Sequence, residues 1–248
     1  MHLEHDDVET DLNQLITKNN QKGANMMCYS KRYQGSLETK LVSDIKAYSS
    51  TIVGCSNVSH LTDFKTLLLR QLNNLANTEI ISDEYDDTQA LLVNLRDEMI
   101  RRHKLLNKAK CKDITTYNDS VPAHKRLQNK VMIINHFEQL CDEPSSLILL
   151  NKTLLPKLRV TGILIIALFD TSNLGFDKTS PIFELRVMGC RRMIENFNTR
   201  IALDMRTREE SILFVGNADA MHILDNNKAI YTNAYFRSRN RELSYHYS

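Results

Sequence analysis

The stretch VMIINHFEQL, residues 131–140, decides the fold of this chain because four apolar residues run directly into polar ones. Val131 to Ile134 form an uninterrupted apolar run, which is typical of a strand buried on both faces of a sheet. Asn135 and His136 follow at the point where such a strand would end. The stretch therefore predicts a central strand with two polar residues behind it.

A second apolar run, Val160 to Phe169, predicts another central strand. Elsewhere apolar residues recur at helical spacing, most clearly from Asp86 to Lys110, where the acids lie early and the basic residues late, as the helix dipole favours. Strands that alternate with helices predict a doubly wound, mostly parallel α/β sheet flanked by helices. Further strands are predicted at Ala24–Tyr29, Ser50–Cys55, Glu79–Ser82 and Arg200–Met205, and further helices at Leu37–Tyr48, Phe64–Leu75, Leu147–Leu158, Glu184–Phe197 and Arg208–Val215.

The composition is that of an ordinary soluble domain. Of 248 residues, 42% are hydrophobic and 25% charged, so the chain can bury a sizeable core. A net charge of +2 is too mild to favour nucleic acid or an anionic membrane as a partner. The longest apolar run, Gly162 to Phe169, is too short to span a bilayer, and the acidic first residues are not a signal peptide. Since no linker interrupts the chain, we expect a single domain over residues 1–248.

The cysteines argue against a disulfide frame and against a zinc site. There are five, widely spread and with no C-x-x-C pair, which favours reduced thiols in a cytosolic compartment. Glycine is scarce, with 7 residues, although a glycine-rich phosphate loop usually needs more. We therefore expect no metal site.

Several segments resemble, in one order, the motifs of the FtsK/SpoIIIE ATPases. EMIRRHKLLNKAKCKDITTYN resembles their helix with an E-M-x-x-R run that leads to a "GYN" segment, and VMIINHFEQL falls where they have the Walker B strand. RVTGILIIALF resembles their R-x-x-G-I-h-L-I-h-A-T-Q strand. NFNTRIALDMRTREESILFVGNADAMHIL resembles their N-x-P-x-R-I-A-F-x-V segment with the D-S-R-x-I-L and G-G-A-E-x-L motifs behind it. The resemblance covers residues 24–224 and implies a RecA-like fold.

Within that family the weakened motifs are most similar to the C-terminal ATPase module of EssC-type coupling proteins of type VIIb secretion in Gram-positive bacteria. The resemblance implies a module cut from a longer, membrane-anchored protein, on its cytoplasmic side. It also implies that the partners are the upstream ATPase modules of the same chain, small helical secreted substrates of the WXG100 class and, for the full-length protein, copies of itself, without nucleic acid.

The family's phosphate loop would lie between the first predicted strand and helix, at Cys28 to Leu37. An intact loop reads G-x-x-x-x-G-K-S/T, with backbone N–H groups and a lysine around the phosphates. Gly35 and Ser36 remain here without a lysine between them. A second candidate, GCSNVSHLTDFK from Gly54, has no G-K-S/T either, and we assign Ser50–Cys55 to the family's next strand.

The other nucleotide-site positions are also altered. Asn135 and His136 stand where the family has its Walker B acids, and an uncharged amide cannot replace the carboxylate that Mg²⁺ prefers. Glu138 would need a shifted register. Leu168, with the following phenylalanine, replaces the polar sensor pair, while Arg200 matches the family's arginine in R-I-A-F. The family binds ATP and Mg²⁺, but these losses predict a degenerate module with no catalytic residue and no cofactor.

Three functions remain open from the sequence. The first is a pseudo-ATPase module that recognises substrates and regulates secretion. The second is an active DNA translocase module, which needs an intact phosphate loop and a metal-binding acid. The third is a free-standing scaffold protein, against which the ordered family motifs argue.

Overall fold

The computed structural model describes residues 37–47, 49–83, 87–174, 189–222, 228–233 and 241–244. All of them belong to one compact unit, Tyr33–Ser248. The predicted strand Ala24–Tyr29 and the positions Gly35 and Ser36 lie outside the described residues, so the single domain over residues 1–248 stays a prediction. No helix in the described ranges has the length and apolar character needed to cross a membrane.

Helices and strands alternate along the chain, as the sequence predicts. The helices are α1 (Leu37–Lys46), α2 (Val58–Asn73), α3 (Thr88–Ala109), α4 (Ile114–Ser120), α5 (Pro144–Ile148), α6 (residues 189–194) and α7 (Arg208–Val215). The strands are β1 (Thr51–Cys55), β2 (Thr78–Ser82), β3 (Asn129–Ile134), β4 (Ile163–Asp170), β5 (Thr199–Ala202), β6 (Lys228–Asn233) and β7 (Arg241–Ser244). The predicted helix Leu147–Leu158 is shorter and changes its form, because α5 gives way to a π-helical turn, Leu149–Leu154.

The strands form one sheet in the order β2-β3-β4-β1-β5-β6-β7. The pairs from β2 to β5 are parallel, and β6 and β7 extend the sheet antiparallel. In the centre, Val53 of β1 lies beside Leu168 of β4, and Ile133 of β3 lies beside Ile166. The predicted RecA-like, mostly parallel α/β sheet is confirmed.

Each face of the sheet packs against its own helices. On one face, Val53 and its neighbours contact the apolar side chains of α1 and α2. On the other face, Ile52 contacts those of α3, α6 and α7. Because every residue of β4 is buried, this strand contributes to both cores, as its unbroken apolar run predicts.

The E-M-x-x-R run of α3 has a structural role. Arg102 is 1% exposed, and its guanidinium donates to the carbonyl oxygen of Thr161 at 2.9 Å and to Glu98 Oε1 at 2.7 Å. This contact ties α3 to the turn before β4. The hydrogen bonds from Arg101 and Arg102 lower the pKa of Glu98 to about 2, so the carboxylate stays charged between two guanidinium groups.

Candidate functional site

The strand order identifies where an open α/β sheet of this kind binds ligands. β1 and β4 are neighbours, but the chain leaves β1 over one face of the sheet through α2 and leaves β4 toward β5 on the other face. Ligands of open α/β sheets bind outside the carboxyl ends of the strands at such a switch point. The candidate site is therefore built by the residues that follow β1, β3 and β4.

The connection after β1 consists of two residues, Ser56 and Asn57. The side chain of Asn57 accepts a hydrogen bond from the backbone N–H of Ser59 at 3.0 Å and so caps α2. A helix N-terminus binds anions through such free N–H groups. Here the side chain of Asn57 binds one of these N–H groups, and the connection of two residues is too short to surround a phosphate.

Ser56 faces inward and belongs to a buried polar network. Its hydroxyl donates to Glu210 Oε2 at 2.8 Å and lies 3.0 Å from the hydroxyl of Thr171. The same carboxylate oxygen accepts from the backbone N–H groups of Arg206 and Thr207 at 2.8 and 2.9 Å. The network joins the ends of β1 and β4 to the start of α7, so these polar groups are committed to holding the fold together.

Gly54, just before the connection, makes room for an aromatic ring. A Cβ atom at this position would lie 2.3 Å from the ring of Phe214, which is fully buried on α7. The glycine therefore serves the packing of α7 against the sheet. It lies inside β1 and contributes nothing to a phosphate loop.

The strand order bears on the two candidate phosphate loops. β1, which we assigned to the strand after the loop, pairs directly with both β4 and β5 and fills the central place at the switch point. The segment that follows this central strand is Ser56–Asn57, within the second candidate. The first candidate lies outside the described residues except for Leu37, so that placement stays a prediction.

Asn135 lies directly after β3, as predicted, and is held by the end of the neighbouring strand. Its side-chain amide donates to Asp83 Oδ1 at 2.7 Å and to the Ser82 hydroxyl at 3.1 Å. Its backbone N–H donates to the same Asp83 oxygen at 2.8 Å. Sequence reasoning missed Asp83, although a polar residue directly after an apolar strand, as in EIISD, signals such a position.

His136 adopts a left-handed backbone conformation, with φ of 49°, and its side chain is 63% exposed. Its Nδ1 lies 3.5 Å from Glu138 Oε1. The other oxygen of this buried carboxylate accepts the backbone N–H of Asp170 at 3.0 Å. Glu138 therefore reaches the end of β4 without a shifted register, and there it fixes the backbone.

The end of β4 differs from our prediction. We placed the replaced polar pair at Leu168 and Phe169, but the strand continues to Asp170. Leu168 is 3% exposed and lines the site, whereas Phe169 packs in the core on the opposite face. Asp170 and Thr171 are the polar residues at the strand end, and the sequence ILIIALFDT shows where the apolar run stops.

Arg200 does not belong to the site. It is the second residue of β5 and lies beside Ile52, toward the amino end of the sheet. The motif match therefore identified the strand correctly, but the order of residues in a motif does not tell which end of the strand faces the ligand. Burial lowers the pKa of its guanidinium, and the charge of Glu195 opposes this effect.

These residues border a cleft of about 580 Å³, which we call the switch-point cleft. Asn135, His136 and Leu168 all line it. Its lysine, Lys65, lies about two turns into α2, away from the two-residue connection. The carboxylates that line it outnumber this cation: Asp83, Asp87, Glu143 and Asp170.

The described residues offer no other obvious reactive group at this edge. Burial raises the pKa of the Cys55 thiol to about 11, which keeps it protonated and unreactive at neutral pH. Within the described ranges, no three His, Cys, Asp or Glu side chains are grouped closely enough to hold a metal ion. Cys55, Cys111 and Cys190 form no disulfide.

Comparison of the sequence with protein-family models and with curated proteins gave no match. Comparison with solved structures did. TcpA, the pCW3 conjugation coupling protein in a monomer form with ATPγS, matches with a TM-score of 0.58 and 14% identity over 81% of this chain. The cytoplasmic domain of the type VII secretion ATPase EccC from Thermomonospora curvata matches with a TM-score of 0.56 and 13% identity over 79% of this chain.

The chain spans 61% of the TcpA chain and 25% of the EccC chain. At this level of identity the likeness concerns the three-dimensional structure alone. The fold of this chain is similar to the folds of TcpA and of the cytoplasmic domain of EccC.

Proposed function

We propose that this chain is a non-hydrolysing, ATPase-like module of a secretion coupling protein, and that it acts by binding partners. The observation that carries the proposal is the connection of two residues, Ser56 and Asn57, at the switch point. Phosphate binding in P-loop proteins needs several backbone N–H groups around the anion and a lysine that reaches it. Neither can be supplied by two residues whose side chains cap α2 and bind Glu210.

The charge of the switch-point cleft supports the same proposal. A nucleoside triphosphate carries several negative charges and would enter beside Asp83, Asp87, Glu143 and Asp170, with Lys65 as the lining lysine. Like charges in a partly buried cleft repel one another more strongly than in bulk water. Asn135, which stands at the place of a metal-binding acid, brings no charge that would hold Mg²⁺.

The proposed setting is a larger multi-module protein. The sequence resemblance to EssC-type coupling proteins and the structural likeness to the cytoplasmic domain of EccC support a cytoplasmic module of a membrane-anchored secretion protein. In this setting the partners are the preceding ATPase modules, small helical secreted proteins of the WXG100 class, and further copies of the full-length protein. The module would then recognise substrates and regulate the modules that hydrolyse ATP.

An active DNA translocase has less support. It requires the phosphate loop and the metal-binding acid together, because each contributes orders of magnitude in rate. The net charge of +2 also gives little attraction to DNA.

The test is phosphate release from Mg-ATP by the purified chain and by the double variant Asn135→Asp/His136→Glu. We expect neither protein to exceed the buffer blank, because acids restored after β3 still meet no bound phosphate. Unfolding curves of both proteins serve as the control for folding. Release that scales with protein concentration and is lost in Glu138→Gln would contradict the proposal.

A further inference from the structure

A second cleft lies at the opposite edge of the sheet and has a different charge. It has a volume of about 710 Å³ and lies between α3, the first residues of β2 and β3, and the segment 123–128 that leads into β3. We call it the amino-edge cleft. Four of its charged lining residues are cations and two are acids: Arg101, Arg102, Arg126 and Lys130 against Glu79 and Glu98.

The wall formed by α3 holds one carboxylate between two guanidinium groups, of which Arg101 is exposed and Arg102 is buried. Glu98 Oε2 accepts from Arg101 Nε at 2.6 Å, and Glu98 Oε1 accepts from Arg101 Nη2 at 2.8 Å and from Arg102 Nε at 2.7 Å. Both oxygens of the acid are thus occupied. The cluster keeps one excess positive charge, and the burial of Arg102 fixes its position.

The opposite wall is fixed by α4. Asn118 accepts the backbone N–H of Leu127 at 2.8 Å, and its side-chain amide donates to the carbonyl oxygen of Leu127 at 2.9 Å. This reciprocal pair holds the segment that carries Arg126. The Arg126 side chain is exposed and makes no ion pair with any residue in the described ranges.

Lys130 completes the cleft from β3. Its Nζ lies 2.6 Å from Glu79 Oε2, and the two side chains are 20% and 43% exposed. This pair is neutral as a whole and lies at the rim. The excess charge therefore comes from the α3 cluster and from Arg126, which lie on two separately anchored walls.

We infer that the amino-edge cleft binds an acidic segment of a partner protein, with neighbouring carboxylates placed between Arg101 of α3, whose side chain is 52% exposed, and Arg126. Guanidinium groups bind carboxylates through paired, charge-assisted hydrogen bonds, which suits two fixed arginine walls. A single-stranded nucleic acid would need aromatic side chains on which bases stack, and none of the described residues that line this cleft is aromatic. The inference does not depend on the proposed function, because it concerns the other edge of the sheet.

The test is fluorescence anisotropy of a labelled hexaglutamate peptide at low salt, where charge interactions are weakly screened. We expect saturable binding that the double variant Arg101→Gln/Arg126→Gln weakens by about tenfold, since it removes one charged contact from each wall. The matched control is Arg191→Gln/Arg192→Gln, which removes the same charge from the exposed surface of α6 and should leave binding unchanged.

Two outcomes would overturn the inference. Equal loss of binding in both double variants would mean that net charge, and not this cleft, attracts the peptide. Tighter binding of a labelled oligothymidylate than of hexaglutamate would identify a nucleic-acid surface instead. The unfolding curves of the two variants must match that of the parent, which the exposed positions of the substituted side chains allow.

Discussion

The two edges of the parallel sheet differ in how closely they follow the motifs of the FtsK/SpoIIIE ATPases, which the sequence resembles. At the amino edge, the E-M-x-x-R run is intact, and Arg102 joins α3 to the turn before β4. At the carboxyl edge, the connection after β1 consists of Ser56 and Asn57, and Asn135 stands where the resemblance places an acid. The intact motif thus has a structural role, whereas the altered positions lie at the candidate functional site.

The charges of the two clefts follow the same division. Among the charged residues that line the switch-point cleft, carboxylates are the majority, while cations are the majority among those that line the amino-edge cleft. P-loop ATPases surround the phosphates with backbone N–H groups and a lysine. The following substitutions test the structural roles that we assign to residues at the amino edge and at the carboxyl edge.

The largest effect is expected at the amino edge from Arg102→Leu. The substitution leaves the Thr161 carbonyl oxygen without its buried donor and removes one of the two partners of Glu98. Loss of one partner of a buried charge pair costs about 3 kcal/mol of the free energy of unfolding. Urea unfolding measures it. Arg101→Leu, at a side chain that is 52% exposed, is the control and should cost less than about 1 kcal/mol.

The second largest effect is expected from a substitution that tests the packing role of Gly54. Gly54→Ala places a Cβ atom 2.3 Å from the Phe214 ring, and such overpacking lowers the free energy of unfolding by about 2 kcal/mol. Phe214→Leu in the same chain should restore part of this loss, because the smaller side chain vacates the contact. The control is Gly189→Ala, where the added atom meets nothing within 4 Å. If Gly54→Ala unfolds at the same urea concentration as the parent, the packing role of the glycine is wrong.

A smaller effect is expected from Ser56→Ala at the carboxyl edge. The substitution removes a hydroxyl that donates to Glu210. Loss of this hydrogen bond should lower the free energy of unfolding, measured in urea, by about 1 kcal/mol. Ser59→Ala is the matched control, since that exposed side chain lies one turn away on the surface of α2 and should change the stability by less than about 0.5 kcal/mol. Equal stability of the two variants would argue against a structural role for the network.

The smallest expected effect is the pH dependence of the stability that Glu98 contributes at the amino edge. The pKa of Glu98 falls from 4.5 to about 2 in the folded chain, so its contribution to stability is present above pH 4.5 and is lost as the pH falls toward 2. The parent should therefore exceed Glu98→Gln in stability at pH 6, and this difference should shrink through that window. Urea unfolding across this pH range measures it, and a constant difference would contradict the ion-pair account.

Much of the fold could be predicted from the sequence, because buried strands and amphipathic helices leave periodic patterns. Thr51–Cys55 and Arg208–Val215 were found nearly residue by residue. The strand order could not be read in this way, since it depends on pairing between distant segments. The central place of β1 between β4 and β5 is therefore visible only in the folded chain.

The candidate site was predicted less completely than the fold. Asn135 and His136 follow β3 as expected, because an apolar run reveals where a strand ends. The partner of Asn135, Asp83, follows another strand, and only the folded chain brings the two side chains together. Ser56 was overlooked because its partner, Glu210, lies 154 residues away in the sequence.

The most direct test of the central claim is a calorimetric titration of the purified chain with Mg-ATPγS. The two-residue connection and the acidic lining of the switch-point cleft predict no saturable heat up to roughly 1 mM nucleotide, which corresponds to a binding free energy weaker than about −4 kcal/mol. Saturable binding with a Kd in the micromolar range would contradict the claim that this edge of the sheet has lost its nucleotide site.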